Sequence, residues 1–142
     1  MQIFVTKDEN ETVSLGERFA KTLKGGTVVA FFGGLGMGKT AFTRGMAKAV
    51  GTVRDVSSPT FAIVNDYGGE PHLYHFDMYR VESWEDLYSS GFFDYYENGG
   101  LLAVEWSENI ENALPENTVR VVFELGKTDT ERIITIDGGE EI

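Results

Sequence analysis

Apolar and polar residues alternate over Met1 to Val5, the period-two pattern of a short strand. From Glu11 to Leu23 the apolar residues Leu15, Phe19 and Leu23 fall four apart. That spacing predicts an amphipathic helix, stopped by Gly25-Gly26. Thr27 to Phe32 is β-branched and aromatic with no polar break, as in a strand buried on both faces. Lys39 to Val50 sets Phe42, Met46, Ala49 and Val50 on one helical face and ends at Gly51.

Further along, Phe61 to Tyr67 and His72 to Tyr79 flank Gly68-Gly69-Glu70-Pro71, which reads as a hairpin. Ser83 to Tyr88 predicts a short helix with Ser83 as its N-cap and Asp86 three residues on; Phe92 to Glu97 predicts another. Leu101 to Glu105 follows Gly99-Gly100 as a buried strand. Val119 to Leu125 and Arg132 to Asp137 form a second hairpin around Gly126 to Asp129. There is no internal repeat or low-complexity linker, so residues 1–142 are expected to form one domain.

Composition narrows the class. The longest apolar run, Thr27 to Phe32, is far too short to cross a bilayer, and the polar, acidic segment Met1 to Asn10 does not read as a targeting signal. With no cysteine, disulfides, thiolate metal sites and cysteine nucleophiles are excluded, and a cytoplasmic protein is expected. The net charge of −11 argues against a protein that grips nucleic acid by itself, which needs clustered Lys and Arg.

Gly33-Gly34-Leu35-Gly36-Met37-Gly38-Lys39-Thr40 matches the P-loop pattern, with glycine at its first and sixth positions and then Lys and Thr. The chemistry demands these residues. Backbone N–H groups must turn inward to cradle phosphate oxygens, and the helix starting at Lys39 adds its N-terminal partial positive charge. Lys39 supplies a mobile cation for the β- and γ-phosphates, and the Thr40 hydroxyl ligates magnesium. The buried strand before the loop and the amphipathic helix after it are the context the motif requires. The fold class expected is therefore α/β: a P-loop NTPase-like three-layer sandwich with a mixed, centrally parallel sheet and an antiparallel edge.

Such a site needs a carboxylate to hold the metal or orient the attacking water. Glu105 ends the apolar strand Leu101-Leu102-Ala103-Val104, and ligands in open α/β sheets bind outside the carboxyl ends of strands. Asp77 is the other candidate. The period of two sets His75, Asp77 and Tyr79 opposite the core row Tyr74, Phe76 and Met78, so this polar row faces either the nucleotide or water. Ser57-Ser58-Pro59-Thr60 lies where a switch segment would bring the Thr60 hydroxyl toward magnesium, although such a string is more often a turn. Gly126-Lys127-Thr128-Asp129 imitates the guanine-reading Asn-Lys-x-Asp but lacks the amide and sits in a hairpin turn, so ATP is favoured over GTP.

Taken in order, the P-loop, Ser58-Pro59-Thr60-Phe61, His75-Phe76-Asp77-Met78-Tyr79-Arg80 and Val104-Glu105-Trp106 resemble the TsaE (YjeE) family. The resemblance runs from Leu15-Gly16-Glu17-Arg18 to the last hairpin. These are small bacterial ATPases needed for threonylcarbamoyl modification of the adenosine beside the anticodon in tRNAs. The resemblance implies ATP and Mg2+ as cofactors, and TsaB and TsaD as partners, with TsaD carrying the transfer chemistry. It implies Thr40 and Glu105 as magnesium ligands and Lys39, Asp77 and Glu105 as the catalytic set. Nucleotide contacts are implied for Gly33, Gly36, Met37, Gly38, Lys39, Thr40, Ala41 and Asp77, with Glu9 and Glu108 near the adenine. His75 and Trp106 become functional candidates; from the residues alone Trp106 reads as packing. Gly34 stands where the family usually has Asp, and Ala41 where it usually has Thr.

Two other functions share the P-loop. A small-molecule kinase would need an arginine-bearing lid, and Arg80 and Arg132 are isolated. A nucleotide-dependent interaction module with negligible turnover would fit the departure at Ala41.

Overall fold

The structure, a computed structural model, describes residues 1–34, 36–52, 56 and 63–142. The Ser57 to Thr60 segment and the start of the strand expected from Phe61 lie outside the described residues.

Seven strands form one sheet: β1 (Gln2–Thr6), β2 (Val28–Phe32), β3 (Val64–Asp66), β4 (Leu73–Asp77), β5 (Leu101–Glu105), β6 (Val119–Leu125) and β7 (Arg132–Asp137). Their order is β1-β7-β6-β2-β5-β4-β3. The pairs β6–β2, β2–β5 and β5–β4 are parallel. Those at the flanks, β1–β7, β7–β6 and β4–β3, are antiparallel. The sheet is thus mixed with a parallel centre, as expected, and antiparallel at both edges rather than one.

Helices α1 (Glu9–Ala20) and α2 (Lys39–Ala49) cover one face. Phe19 and Phe42 pack there at 5.3 Å between ring centroids, and Phe31 and Phe123 meet Phe42 edge-on from the sheet. Two glycines allow the helices this close. A Cβ on Gly16 would sit 2.2 Å from the Phe42 carbonyl oxygen, and one on Gly45 2.0 Å from that of Val13. The opposite face carries α3 (Trp84–Ser89), α4 (Phe92–Glu97) and a 3₁₀ segment (Ser107–Ala113) over Phe76, Leu102 and Val104.

Element boundaries depart from the sequence pattern for local reasons. Helix α1 starts two residues before Glu11 because Asp8 caps it, accepting from the Glu11 N–H at 2.9 Å, while Glu11 accepts from the Lys7 N–H. It ends at Ala20, and Leu23 reaches the core through a turn closed by its own N–H on the Ala20 carbonyl. Strand β4 stops at Asp77 rather than Tyr79 because the Met78 N–H bonds the Glu105 carbonyl at 3.0 Å and the chain then turns. The 3₁₀ segment after Glu105 has no period-3.6 apolar pattern and was not expected from the sequence. No helix among the described residues is long and apolar enough to cross a membrane.

Candidate functional site

The loop from Gly33 to Gly38 joins the carboxyl end of β2 to the first turn of α2. Gly33 has φ 137° and Gly38 φ 100°, conformations that L side chains rarely adopt. A Cβ on Gly33 would also lie 2.7 Å from the Phe123 carbonyl oxygen, so both conformation and space require glycine there. Gly38 caps α2 without a side-chain bond, leaving the first turn directed at the loop. Lys39 is 7% exposed; its Nζ donates to the Gly33 carbonyl at 2.9 Å and lies 6.0 Å over the Trp106 ring. The amine is thereby folded back across the cradle where phosphate oxygens would sit.

A cleft of about 350 Å³ opens beside the loop. Gly36, Gly38, Lys39, Thr40 and Ala41 form one wall, and Glu105 closes it below. Glu9 and Thr12 of α1 and Asp129, Thr130 and Arg132 of the β6–β7 turn form the rest. Glu9 is held across the rim by Arg44, at 2.6 Å.

Strand register brings the acids together. The period of two puts Ala103 and Glu105 on the α2 face of the sheet, and Asp77 pairs with Glu105 across parallel strands. Glu105 is 7% exposed, and its Oε2 lies 2.6 Å from His75 Nε2. His75 is wholly buried and its Nδ1 lies 3.3 Å from the Tyr67 hydroxyl. Asp77 is half-buried, and its Oδ1 accepts from the Tyr79 N–H at 2.9 Å. Burial pushes the Asp77 carboxyl above the ordinary aspartate value, and the Glu105 charge adds to that. The Tyr79 N–H, His75 and Lys39 oppose the shift without cancelling it.

A P-loop beside a buried strand-end glutamate narrows the identity to a P-loop protein. The comparison with known families decides among these: residues 6–134 match the family described as threonylcarbamoyl adenosine biosynthesis protein TsaE. The chain belongs to the TsaE family. It is 40% identical over 132 residues to the tRNA threonylcarbamoyladenosine biosynthesis protein TsaE of Bacillus subtilis strain 168, covering 92% of this chain and 81% of that protein. The TsaE protein of Treponema pallidum is 34% identical, with 93% and 97% covered. The crystal structure of Bacillus subtilis YdiB superposes with a TM-score of 0.81 at 34% identity, over 95% of this chain and 83% of that one.

With the TsaE fold in hand, the candidate residues sort by position. Glu9, Gly36, Gly38, Lys39, Thr40, Ala41 and Glu105 all line the cleft. Gly33 forms the start of the loop, and Met37 turns partly into the core beneath it. Asp77 and His75 stand behind and beside Glu105 rather than on the cleft wall. The polar row of β4 splits: His75 is buried, contrary to a solvent-facing row, while Tyr79 is 60% exposed because the strand ends before it. Trp106 adopts left-handed backbone angles (φ 58°) and packs edge-on against Tyr79 at 4.8 Å, with Lys39 over its ring. Glu108 lines a separate hollow with Glu82, Trp84 and Glu111, away from the P-loop cleft. Thr60 lies outside the described residues.

Thr12, Asp129, Thr130 and Arg132 line the cleft without having been anticipated. Arg132, isolated in sequence, donates from Nη2 to the Gly36 carbonyl at 3.0 Å and from Nη1 to the Asp129 carbonyl at 2.7 Å. A signal existed. Strand β6 runs parallel to β2, so the turn after β6 must emerge at the same carboxyl edge as the P-loop.

The residues fit a magnesium nucleotide. The donor set in the cleft is the Thr40 hydroxyl and the Glu105 carboxylate, hard oxygens of the kind Mg2+ prefers, with Asp77 beside Glu105 on the adjacent strand. Among the described residues no cluster of three or more His, Cys, Asp or Glu gathers as a protein-only cage.

Proposed function

We propose that this chain binds ATP with magnesium in the P-loop cleft, hydrolyses it, and through that cycle drives a TsaB–TsaD partner complex in tRNA threonylcarbamoyladenosine biosynthesis. The observation that carries the reading is the common cleft of Lys39, Thr40 and Glu105: a cation, a hydroxyl and a carboxylate around one phosphate cradle.

The chain's own residues divide the work. Lys39 exchanges the Gly33 carbonyl for phosphate oxygens and neutralises charge as it develops. Thr40 and Glu105 would hold magnesium, which supplies further neutralisation on the β- and γ-phosphates when bound. Glu105, which lines the cleft, would also orient the attacking water, and Asp77, its neighbour on the adjacent strand with a raised proton affinity, would act through it. Arg132 and the β6–β7 turn line the same cleft.

The charge distribution supports docking on a protein rather than on tRNA. From Val81 to Val119 there is no Lys or Arg, and this stretch carries the exposed Trp84 and Tyr88. Reconstituted tRNA modification with TsaB and TsaD tests the proposal. Multiple turnovers should require this chain and ATP, and Lys39→Ala should behave like omission of the chain. Equal modification with the Lys39→Ala variant would refute it.

A further inference from the structure

His75 is wholly buried and shares the α2 face of the sheet with the core residues Leu73, Leu101 and Ala103. An imidazole there loses its hydration, a cost offset only if both ring nitrogens find partners. Both do. A carboxylate oxygen can only accept, so at 2.6 Å from Glu105 Oε2 the His75 Nε2 carries the proton. Nδ1 lies 3.3 Å from the Tyr67 hydroxyl, which can either donate to it or accept from it, and Asn65 Nδ2 lies 3.5 Å from that hydroxyl. The chain Asn65, Tyr67, His75, Glu105 ends on the carboxylate, to which the His75 Nε2–H donates whether the ring is neutral or charged.

The register explains how the imidazole reaches it. His75 pairs with Ala103, two residues before Glu105 on β5, so by the period of two all three side chains lie on the same face of the sheet. A histidine serving only to fill the core would be replaceable by an apolar residue of similar volume. This one instead ends a polar chain at the carboxylate that lines the nucleotide cleft.

We propose that His75 is a positioning residue: its Nε2–H fixes Oε2 of Glu105 and so aims the carboxylate at the magnesium of bound nucleotide, while Tyr67 holds the other ring nitrogen. This rests on the reading of Glu105 as a magnesium ligand. A glutamate has three side-chain torsions to restrain, and outer hydrogen bonds of this kind hold ligating carboxylates in place.

The test is a magnesium titration of fluorescent ATP-analogue binding, with wild type, His75→Leu and His75→Gln compared in parallel. His75→Leu should raise the magnesium needed for half-maximal binding by about 10–100-fold, leaving binding in EDTA unchanged. His75→Gln, whose amide can still donate to Glu105, should recover most of the loss. In a Glu105→Ala background the His75→Leu effect should vanish. Unchanged magnesium dependence in His75→Leu, or a full effect without Glu105, would overturn the proposal. Should His75→Leu not fold, ¹⁵N NMR of the metal-free wild type decides: a proton on His75 Nε2 hydrogen-bonded to Glu105 supports it, and an Nε2 without a proton overturns it. If wild-type binding ignored magnesium, or Glu105→Ala left it unchanged, the assignment of Glu105 would fail instead.

Discussion

Asp77 and Glu105 occupy paired positions on adjacent parallel strands, and burial together with the neighbouring charge of Glu105 raises the proton affinity of Asp77. The sign of the resulting pH dependence follows. A carboxyl with a raised folded pKa holds its proton in the native state after the unfolded chain has released it, so stability falls as pH rises through that window. For metal-free protein, wild type should therefore lose stability relative to Asp77→Asn from the ordinary aspartate value of 3.8 upward, levelling off above the raised folded value. Urea melts of both proteins across acidic pH in EDTA check this. Parallel profiles would mean that Asp77 is not perturbed.

Helices α1 and α2 approach through Gly16 and Gly45, where an added methyl would overlap a facing carbonyl oxygen. Gly45→Ala should destabilise the protein by about 1–3 kcal/mol, despite the better helix propensity of alanine. Denaturant unfolding should give a lower midpoint with an unchanged slope. Because α2 carries Lys39 and Thr40, nucleotide affinity should weaken with it.

Arg132 ties the β6–β7 turn to the P-loop through two carbonyls at once, Gly36 and Asp129. Arg132→Ala should weaken ATP binding about tenfold, the equivalent of one hydrogen bond to a charged group. Arg132→Lys should not restore it, because a single ammonium lacks the planar fork that spans both carbonyls. Equilibrium titration with a fluorescent nucleotide measures both.

Much of this site was legible in the sequence because its parts are local. The P-loop is contiguous, and the acid at the end of a fully apolar strand declares its position by periodicity, as Glu105 does. The first-turn partners of helix caps, such as Ser83 with Asp86, are three residues apart and equally readable. What escaped depends on register between distant strands. Nothing within β4 alone says that His75 faces Glu105 rather than water; the β4–β5 alignment decides it. Arg132 and Asp129 reach the cleft only because β6 runs parallel to β2. The Asp8 cap moved the start of α1 and brought Glu9 to the cleft rim as the helix's first residue.

The folded-back Lys39 amine leads to the most direct measurement. Phosphate release from ATP with magnesium should be followed for wild type and Lys39→Ala, each alone and with TsaB and TsaD present. Wild type should release phosphate in a magnesium-dependent reaction, and Lys39→Ala should fall at least a hundredfold, to about background, having lost roughly 2.7 kcal/mol or more of charge stabilisation. Lys39→Ala releasing phosphate as fast as wild type would contradict the assignment of this cleft as the site of hydrolysis.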